Sequence, residues 1–158
     1  MLVGPGDYYE KDHYSVYHYG LPIFGADPAT FVVFPEEPHY GKDAHHVYSG
    51  DTIVQGADPA TFQFYDSYKV YSRDRTHVFW EGGALPTADP GSFVPLPMTS
   101  KAAEAVGAQY GKDTHHVYIE NTIVQGADPA TFLVLSHPTA TADAQDASHY
   151  YREGEVVR

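Results

Sequence analysis

The chain has 158 residues, 15% of them aromatic with 14 Tyr, and a formal net charge of −12. So acidic a chain argues against nucleic acid and against anionic membrane surfaces as partners, because both attract basic surfaces. It has no Cys, which excludes disulfides, thiolate metal sites and a Cys nucleophile. No run approaches the roughly 18 apolar residues of a membrane span, and residues 1–20 lack the pattern of a signal peptide. We therefore predict no membrane insertion.

Two sequence signatures alternate along the chain and identify a tandem-repeat protein. The first is the heptapeptide Gly-Ala-Asp-Pro-Ala-Thr-Phe, found at residues 25–31, 56–62 and 126–132 and, in a looser form, at 87–93. The second is Tyr-x-Lys/Arg-Asp-x-x-x-Val-Tyr/Phe, which precedes each copy and begins at Tyr9, Tyr40, Tyr71 and Tyr110. A period of about 30 to 40 residues indicates an array whose neighbouring units share their hydrophobic core.

The second repeat shows the predicted local structure. Residues 46–48 and 52–54 are β-rich runs around a short loop with Gly, which predicts a hairpin. Asp58 can cap a helical turn that Pro59 begins, and residues 62–65 then resume the alternation of a strand. The predicted fold class is therefore mainly β: a tandem-repeat array of short antiparallel strands and hairpins. Each repeat has a single helical turn at Ala-Asp-Pro-Ala-Thr, and there are about four and a half repeats.

The predicted boundaries divide one domain, residues 1–158, into repeats. They span about residues 9–39, 40–70, 71–109 and 110–140, with a C-terminal half repeat at 141–158. The third repeat diverges, because two prolines break its final strand and an insertion at 98–106 is expected to form a short helix. Residues 1–8 match the back of a repeat and 141–158 match the front of one.

The run Tyr-Gly-Lys-Asp-x-His-His-Val-Tyr at residues 40–48 and 110–118, followed by the heptapeptide, resembles the DKNYY family of bacterial tandem-repeat proteins. The resemblance covers nearly the whole chain. The heptapeptide matches closely, whereas the first signature has Lys-Asp-Ala-His-His-Val-Tyr where the family pattern carries Asn and often Tyr-Tyr. The resemblance implies a secreted or surface-associated bacterial protein of unassigned function, and it carries over no catalytic residue.

Histidine and aspartate rows are the first candidates for chemistry. One His row shares a repeat position: His46, His77, His116 and His149. Zinc needs three or four ligands that converge, and regular rows do not, so we expect packing or hydrogen bonding. Two Asp rows are expected to bond their own turn amides or to cap turns, rather than to bind calcium. They are Asp12, Asp43, Asp74, Asp113 and Asp146, and Asp27, Asp58, Asp89 and Asp128. No catalytic motif occurs, and we predict no catalytic residue, metal or cofactor.

The aromatic rows that begin at Tyr9 and at Tyr17 are predicted to lie between stacked repeats, with exposed sugar-binding rows as the alternative. Trp80 has no counterpart in the other repeats. It is the candidate for a ligand contact, and the alternative is that it fills the space left by Gly82 and Gly83.

The two terminal half repeats complement each other and lack between them only the Gly-Ala-Asp-Pro turn. They can pair within one chain, as a small ring resembling a propeller, or between chains, head to tail. We predict a non-enzymatic structural protein, extracellular or on the bacterial cell surface, that self-assembles into a fibre or surface array. The predicted subunit interface comprises Leu2, Val3, Tyr8, Tyr9, His149, Tyr150, Tyr151, Val156 and Val157. The alternatives are a monomeric secreted or cell-surface binding module for carbohydrate or protein and, third, a hydrolase.

Overall fold

In a computed structural model, the described residues form five small antiparallel sheets that follow one another along the sequence. The structure describes residues 8–65, 70–96, 109–135, 139 and 141–157. The first sheet has three strands, β1 (Tyr9–Lys11), β2 (Val16–His18) and β3 (Leu21–Pro22). The other four sheets have four strands each, hydrogen-bonded in chain order. The predicted all-β repeat array is confirmed.

The four-stranded sheets repeat one pattern. The second sheet contains β4 (Val32–Val33), β5 (Tyr40–Lys42), β6 (Val47–Ser49) and β7 (Thr52–Ile53). The third contains β8 (Gln63–Phe64), β9 (Tyr71–Arg73), β10 (Val78–Trp80) and β11 (Gly83–Ala84). The fourth contains β12 (Val94–Pro95), β13 (Tyr110–Lys112), β14 (Val117–Ile119) and β15 (Thr122–Ile123). The fifth contains β16 (Leu133–Val134), β17 (Ala144–Gln145), β18 (Tyr150–Arg152) and β19 (Glu155–Val156).

The strand that follows each heptapeptide joins the sheet of the next repeat. Strand β8, for example, pairs with β9 through Phe64 opposite Ser72. Each repeat as defined from the sequence therefore contributes to two sheets. In the C-terminal half repeat, β18 and β19 form a hairpin in which Tyr151 lies opposite Val156.

The helical turn predicted in each repeat is wrong, because the described residues contain no helix. The Asp27 carbonyl accepts the amides of Thr30 at 3.3 Å and Phe31 at 3.0 Å, which closes one turn. The capping function is present, since the Asp27 carboxylate accepts the Ala29 amide at 2.9 Å and the Thr30 hydroxyl at 2.7 Å. The turn ends there because Phe31 enters the core and the next residues form β4. The helix predicted at 98–106 falls on residues 97–108, outside the described part of the chain.

The core lies between consecutive sheets. We call the side of each sheet that meets the preceding sheet its front and the opposite side its back. Tyr48 lies on a front face and meets the ring of Phe31 at 5.8 Å, whereas Val47 lies on a back face and shares a cluster with Phe79 of the next sheet. Four such clusters link the five sheets, and none of them combines described residues of the first and fifth sheets. Among the described residues, the core therefore links neighbouring sheets, as predicted.

A buried carboxylate reinforces each junction. Asp43 accepts the amides of His45 and His46, both at 2.7 Å, which confirms the predicted bonds to its own turn. It also accepts the Tyr48 hydroxyl and the Asp27 amide of the preceding heptapeptide, both at 2.9 Å. Burial opposes ionisation, but these hydrogen bonds outweigh it and hold the pKa of the Asp43 carboxyl below its usual range. Asp74, Asp113 and Asp146 repeat the arrangement.

Candidate functional site

Two sheet faces have no neighbouring sheet among the described residues. The C-terminal face is the back of the fifth sheet, formed by Leu135, Tyr150, Arg152 and Val157. The N-terminal face is the front of the first sheet, formed by Glu10, Asp12, Tyr17 and Pro22. In the interior of the array, each face of this kind is covered by a neighbouring sheet.

The C-terminal face exposes residues at positions that are core elsewhere. Tyr150 is 48% exposed and Val157 is 41% exposed. The residues equivalent to Tyr150 are all fully buried: Val16, Val47, Val78 and Val117. The residues equivalent to Val157 are at most 5% exposed: Ile23, Val54, Leu85 and Val124. The fifth sheet therefore presents a core-type surface to solvent.

A cavity of about 520 Å³ opens on the C-terminal face, lined by Leu135, Tyr150, Arg152 and Val157 together with Thr139, Thr141 and Ala142. In the fourth repeat, Phe132 of the heptapeptide fills the corresponding layer and packs on Tyr110 with 5.2 Å between ring centroids. Residues 141–157 contain no heptapeptide, and Asp143 stands at the position of Tyr110. The cavity thus lies on the face where the other repeats place a Tyr and a heptapeptide Phe.

Asp143 is a buried carboxylate that the sequence analysis did not single out. It is 3% exposed, accepts the Tyr110 hydroxyl at 2.8 Å and accepts the Glu153 amide at 2.8 Å. In the first junction, the corresponding Tyr9 hydroxyl donates to the His39 and Gly50 carbonyls instead. Asp143 therefore joins the fourth and fifth sheets. The sequence could have drawn attention to Asp143, because each of the other repeats has Tyr three residues before the Asp that begins its turn.

On the N-terminal face, the Asp12 carboxylate accepts fewer hydrogen bonds from described residues than the equivalent Asp43 does. The Asp12 carboxylate accepts the Tyr14 and Ser15 amides and the Tyr17 hydroxyl, and these bonds hold the pKa of its carboxyl below the usual range. No bond from a heptapeptide amide reaches Asp12 among the described residues, in contrast to Asp43. Tyr17 is half-buried, whereas the equivalent residues are fully buried: Tyr48, Phe79, Tyr118 and Tyr151.

Glu10 gives the N-terminal face a shape unlike the other front faces. The equivalent positions carry small residues: Gly41, Ser72, Gly111 and Ala144. A Cβ atom at Gly41 would collide with the ring of Phe31, and one at Gly111 would collide with Phe93. Glu10 therefore places a longer side chain at the position where the internal front faces receive the Phe of a heptapeptide.

The residues of the predicted interface fall into three groups. Leu2 and Val3 lie outside the described residues. Tyr9 and Tyr151 are buried between sheets of the same chain, at 1% and 0% exposure, and Tyr8 stacks on His39 with ring centroids 3.8 Å apart. Tyr150 and Val157 are exposed on the C-terminal face, whereas Val156 is exposed on the other side of the fifth sheet, where it is the cross-strand partner of Tyr151.

The two remaining candidate residues, His149 and Trp80, both lie against other residues of the chain. His149 lies 3.5 Å from the Asp146 carboxylate through its Nδ1 atom, and His46 and His77 of the same row lie beside Asp43 and Asp74 in the same way. Across the described ranges, no three His, Asp or Glu side chains are grouped so as to hold a metal ion. Trp80 is half-buried and packs edge-on against Tyr71 at 5.0 Å, as part of a core cluster.

Comparison with known proteins identifies the repeat. The profile of the DKNYY family matches residues 8–155. The chain belongs to the DKNYY family. All five sheets of this DKNYY protein lie within the match, except the last residue of β19. No curated protein and no solved structure matches it. In the described part of this DKNYY chain, no helix is long and apolar enough to cross a membrane.

Proposed function

We propose that this protein is a non-enzymatic structural protein of the bacterial cell exterior whose copies associate head to tail. The observation that carries the proposal is the exposure of Tyr150 and Val157, at positions that the other four sheets bury. Apolar area removed from water stabilises an assembly by about 25 cal/mol per Å². The extracellular location is supported by the family resemblance and by the acidic composition, with 21 Asp and Glu against 9 Lys and Arg.

A second copy is the partner that best fits the C-terminal face. In the first junction, Tyr48 of a front face packs into a cluster with Val16 and Ile23 of the preceding back face. Tyr17 is the equivalent of Tyr48 and is only half-buried, so a second copy can offer it to Tyr150 and Val157. Such a contact joins two different surfaces and is heterologous, so it produces a filament unless the rotation between copies closes a ring.

The test is size-exclusion chromatography with light scattering over a range of concentrations, backed by negative-stain images. We expect particles that grow with concentration and that Val157→Asp reduces strongly, because a carboxylate in a buried apolar contact loses its hydration. Val94→Asp is the matched control, since Val94 is 48% exposed on an internal sheet and lies away from both outer faces. A sharp 17.4 kDa monomer at every concentration would contradict the proposal.

One observation favours the binding-module alternative. Leu21 and Phe24 of the first repeat are 66% and 89% exposed and border a groove of about 550 Å³ with Pro22 and Ile53. The other repeats carry Thr, Gly or Glu in place of Leu21, and Gln, Pro or Arg in place of Phe24. A monomer whose saturable binding to a carbohydrate or protein is lost in Phe24→Ser would support this second function; unchanged binding would leave the groove without a role.

A further inference from the structure

We propose that Glu10 of one copy enters the cavity on the C-terminal face of the next copy and pairs there with Arg152. The inference rests on the proposed head-to-tail association and names the contact that selects the partner. It is built from three properties of the two faces: a vacant volume, a side chain of matching position, and opposite charges.

The vacant volume lies where a heptapeptide Phe would be. Within the chain, Phe132 fills this layer between the fourth and fifth sheets. On the C-terminal face the layer is the cavity of about 520 Å³, and nothing within residues 141–157 supplies a Phe. A second copy that docks in the manner of an internal junction must therefore bring its own side chain to fill the cavity, since unfilled space in a packed contact forfeits dispersion energy.

The side chain in matching position is Glu10. It is on the same side of the first sheet as Tyr17, its cross-strand partner. In the second sheet the equivalent of Glu10 is Gly41, whose α-carbon lies against the ring of Phe31. The N-terminal face thus has a long side chain where the internal front faces leave room for a Phe. The C-terminal face lacks the Phe, and Glu10 on the N-terminal face can fill the space that the Phe would take, so the two surfaces are complementary in shape.

Opposite charges complete the match. Arg152 stands at a position where the other repeats carry no permanent charge: His18, Ser49, Trp80 and Ile119. Its Nη1 donates to the Thr139 carbonyl at 3.0 Å and its Nε lies 3.6 Å from Glu153, which holds the side chain at the cavity wall. A guanidinium has five N–H donors and binds a carboxylate in a fixed geometry. Its remaining donors can therefore bind the Glu10 carboxylate, and this attraction offsets part of the repulsion between two chains that each carry a net charge of −12.

The experiment is a charge swap measured by sedimentation or light scattering on the full chain. We expect Glu10→Arg and Arg152→Glu each to weaken self-association about tenfold or more, as is typical of a truncated or reversed charge pair at an interface. Mixing the two single variants, or combining them in one chain, should restore association to within a few-fold. Arg75→Glu makes the same charge change on an exposed residue of the third repeat, and we expect it to have little effect.

The outcomes separate this inference from the proposed function. If the wild type associates and Val157→Asp prevents it, but both charge reversals leave association unchanged, then head-to-tail assembly stands and the Glu10 contact is overturned. The same conclusion follows if the reversals weaken association and the swap fails to restore it. A wild type that is monomeric at all concentrations overturns both. Circular dichroism of each variant shows whether the sheets remain folded.

Discussion

At the residue scale, one carboxylate serves two repeats. Asp43 fixes its own turn through the His45 and His46 amides and holds the preceding heptapeptide through the Asp27 amide. Asp12 fixes its own turn in the same way but has no preceding heptapeptide among the described residues. The two residues therefore form a natural pair for measuring what the link between repeats contributes.

We expect Asp43→Ala to lower the free energy of unfolding by about 2–4 kcal/mol, because it leaves several buried donors without an acceptor. Asp12→Ala, at an exposed site, should have a clearly smaller effect. Urea denaturation followed by tyrosine fluorescence measures both. Equal losses in the two variants would mean that the bond between repeats adds nothing to stability.

At the scale of elements, the hairpins can be predicted from the sequence, but the pairing of strands into sheets cannot. Alternation of apolar residues and Gly-containing loops locate β6 and β7 directly. Alternation cannot reveal that the strand after a heptapeptide pairs with the next repeat, because partner choice is a tertiary property. The predicted helical turn was wrong for a related reason: Asp and Pro favour a helix start, but the burial of Phe62 directs the chain into the next strand before a helix forms.

The candidate site was predictable only in part. Tyr150 and Val157 lie in the half repeat that the sequence predicts, and both are exposed. Asp143 and Glu10 were missed, although both depart from the residue type at their repeat position. The effect of an unusual residue on a sheet face depends on which side of the sheet the residue occupies. That side is known only once the strand register is known.

The heptapeptide Phe is the element-scale determinant of the core. Phe62 packs against Phe34 and Phe79 with ring centroids 5.6 Å apart, and so contacts two sheets at once. We expect Phe62→Ala to cost about 3–5 kcal/mol, as large-to-small changes of buried Phe do. Its exposed neighbour provides the control, since Gln63→Ala should stay within about 0.5 kcal/mol of the wild type. A loss below about 1 kcal/mol at Phe62 in denaturant titration would show that the sheets do not depend on it.

At the scale of the whole molecule, the junction carboxylates make stability dependent on pH. Burial opposes ionisation of Asp43, Asp74 and Asp113, but their hydrogen bonds outweigh it and lower each pKa from the ordinary 3.8. The unfolded chain therefore takes up these protons first as the pH falls. The stability contribution is present above about pH 4 and is lost progressively below it.

We expect the melting temperature, followed by circular dichroism, to fall steeply below about pH 4 and to depend less on pH in Asp43→Asn, which removes one of the titrating groups. The buffer series should keep ionic strength constant, because screening alters the repulsion within an acidic chain. A melting temperature that is flat from pH 5 to pH 2.5 would contradict the assignment of junction stability to ionised carboxylates.

The sharing of each heptapeptide between two sheets has a consequence for how such chains change length. The same seven residues occur at 25–31, 56–62 and 126–132, and each copy ends one sheet and begins the next. Recombination between two copies would remove or add whole sheets while every new junction keeps the same seven residues and the same acceptor Asp. The fold therefore permits inheritance of arrays of different length without the evolution of any new contact.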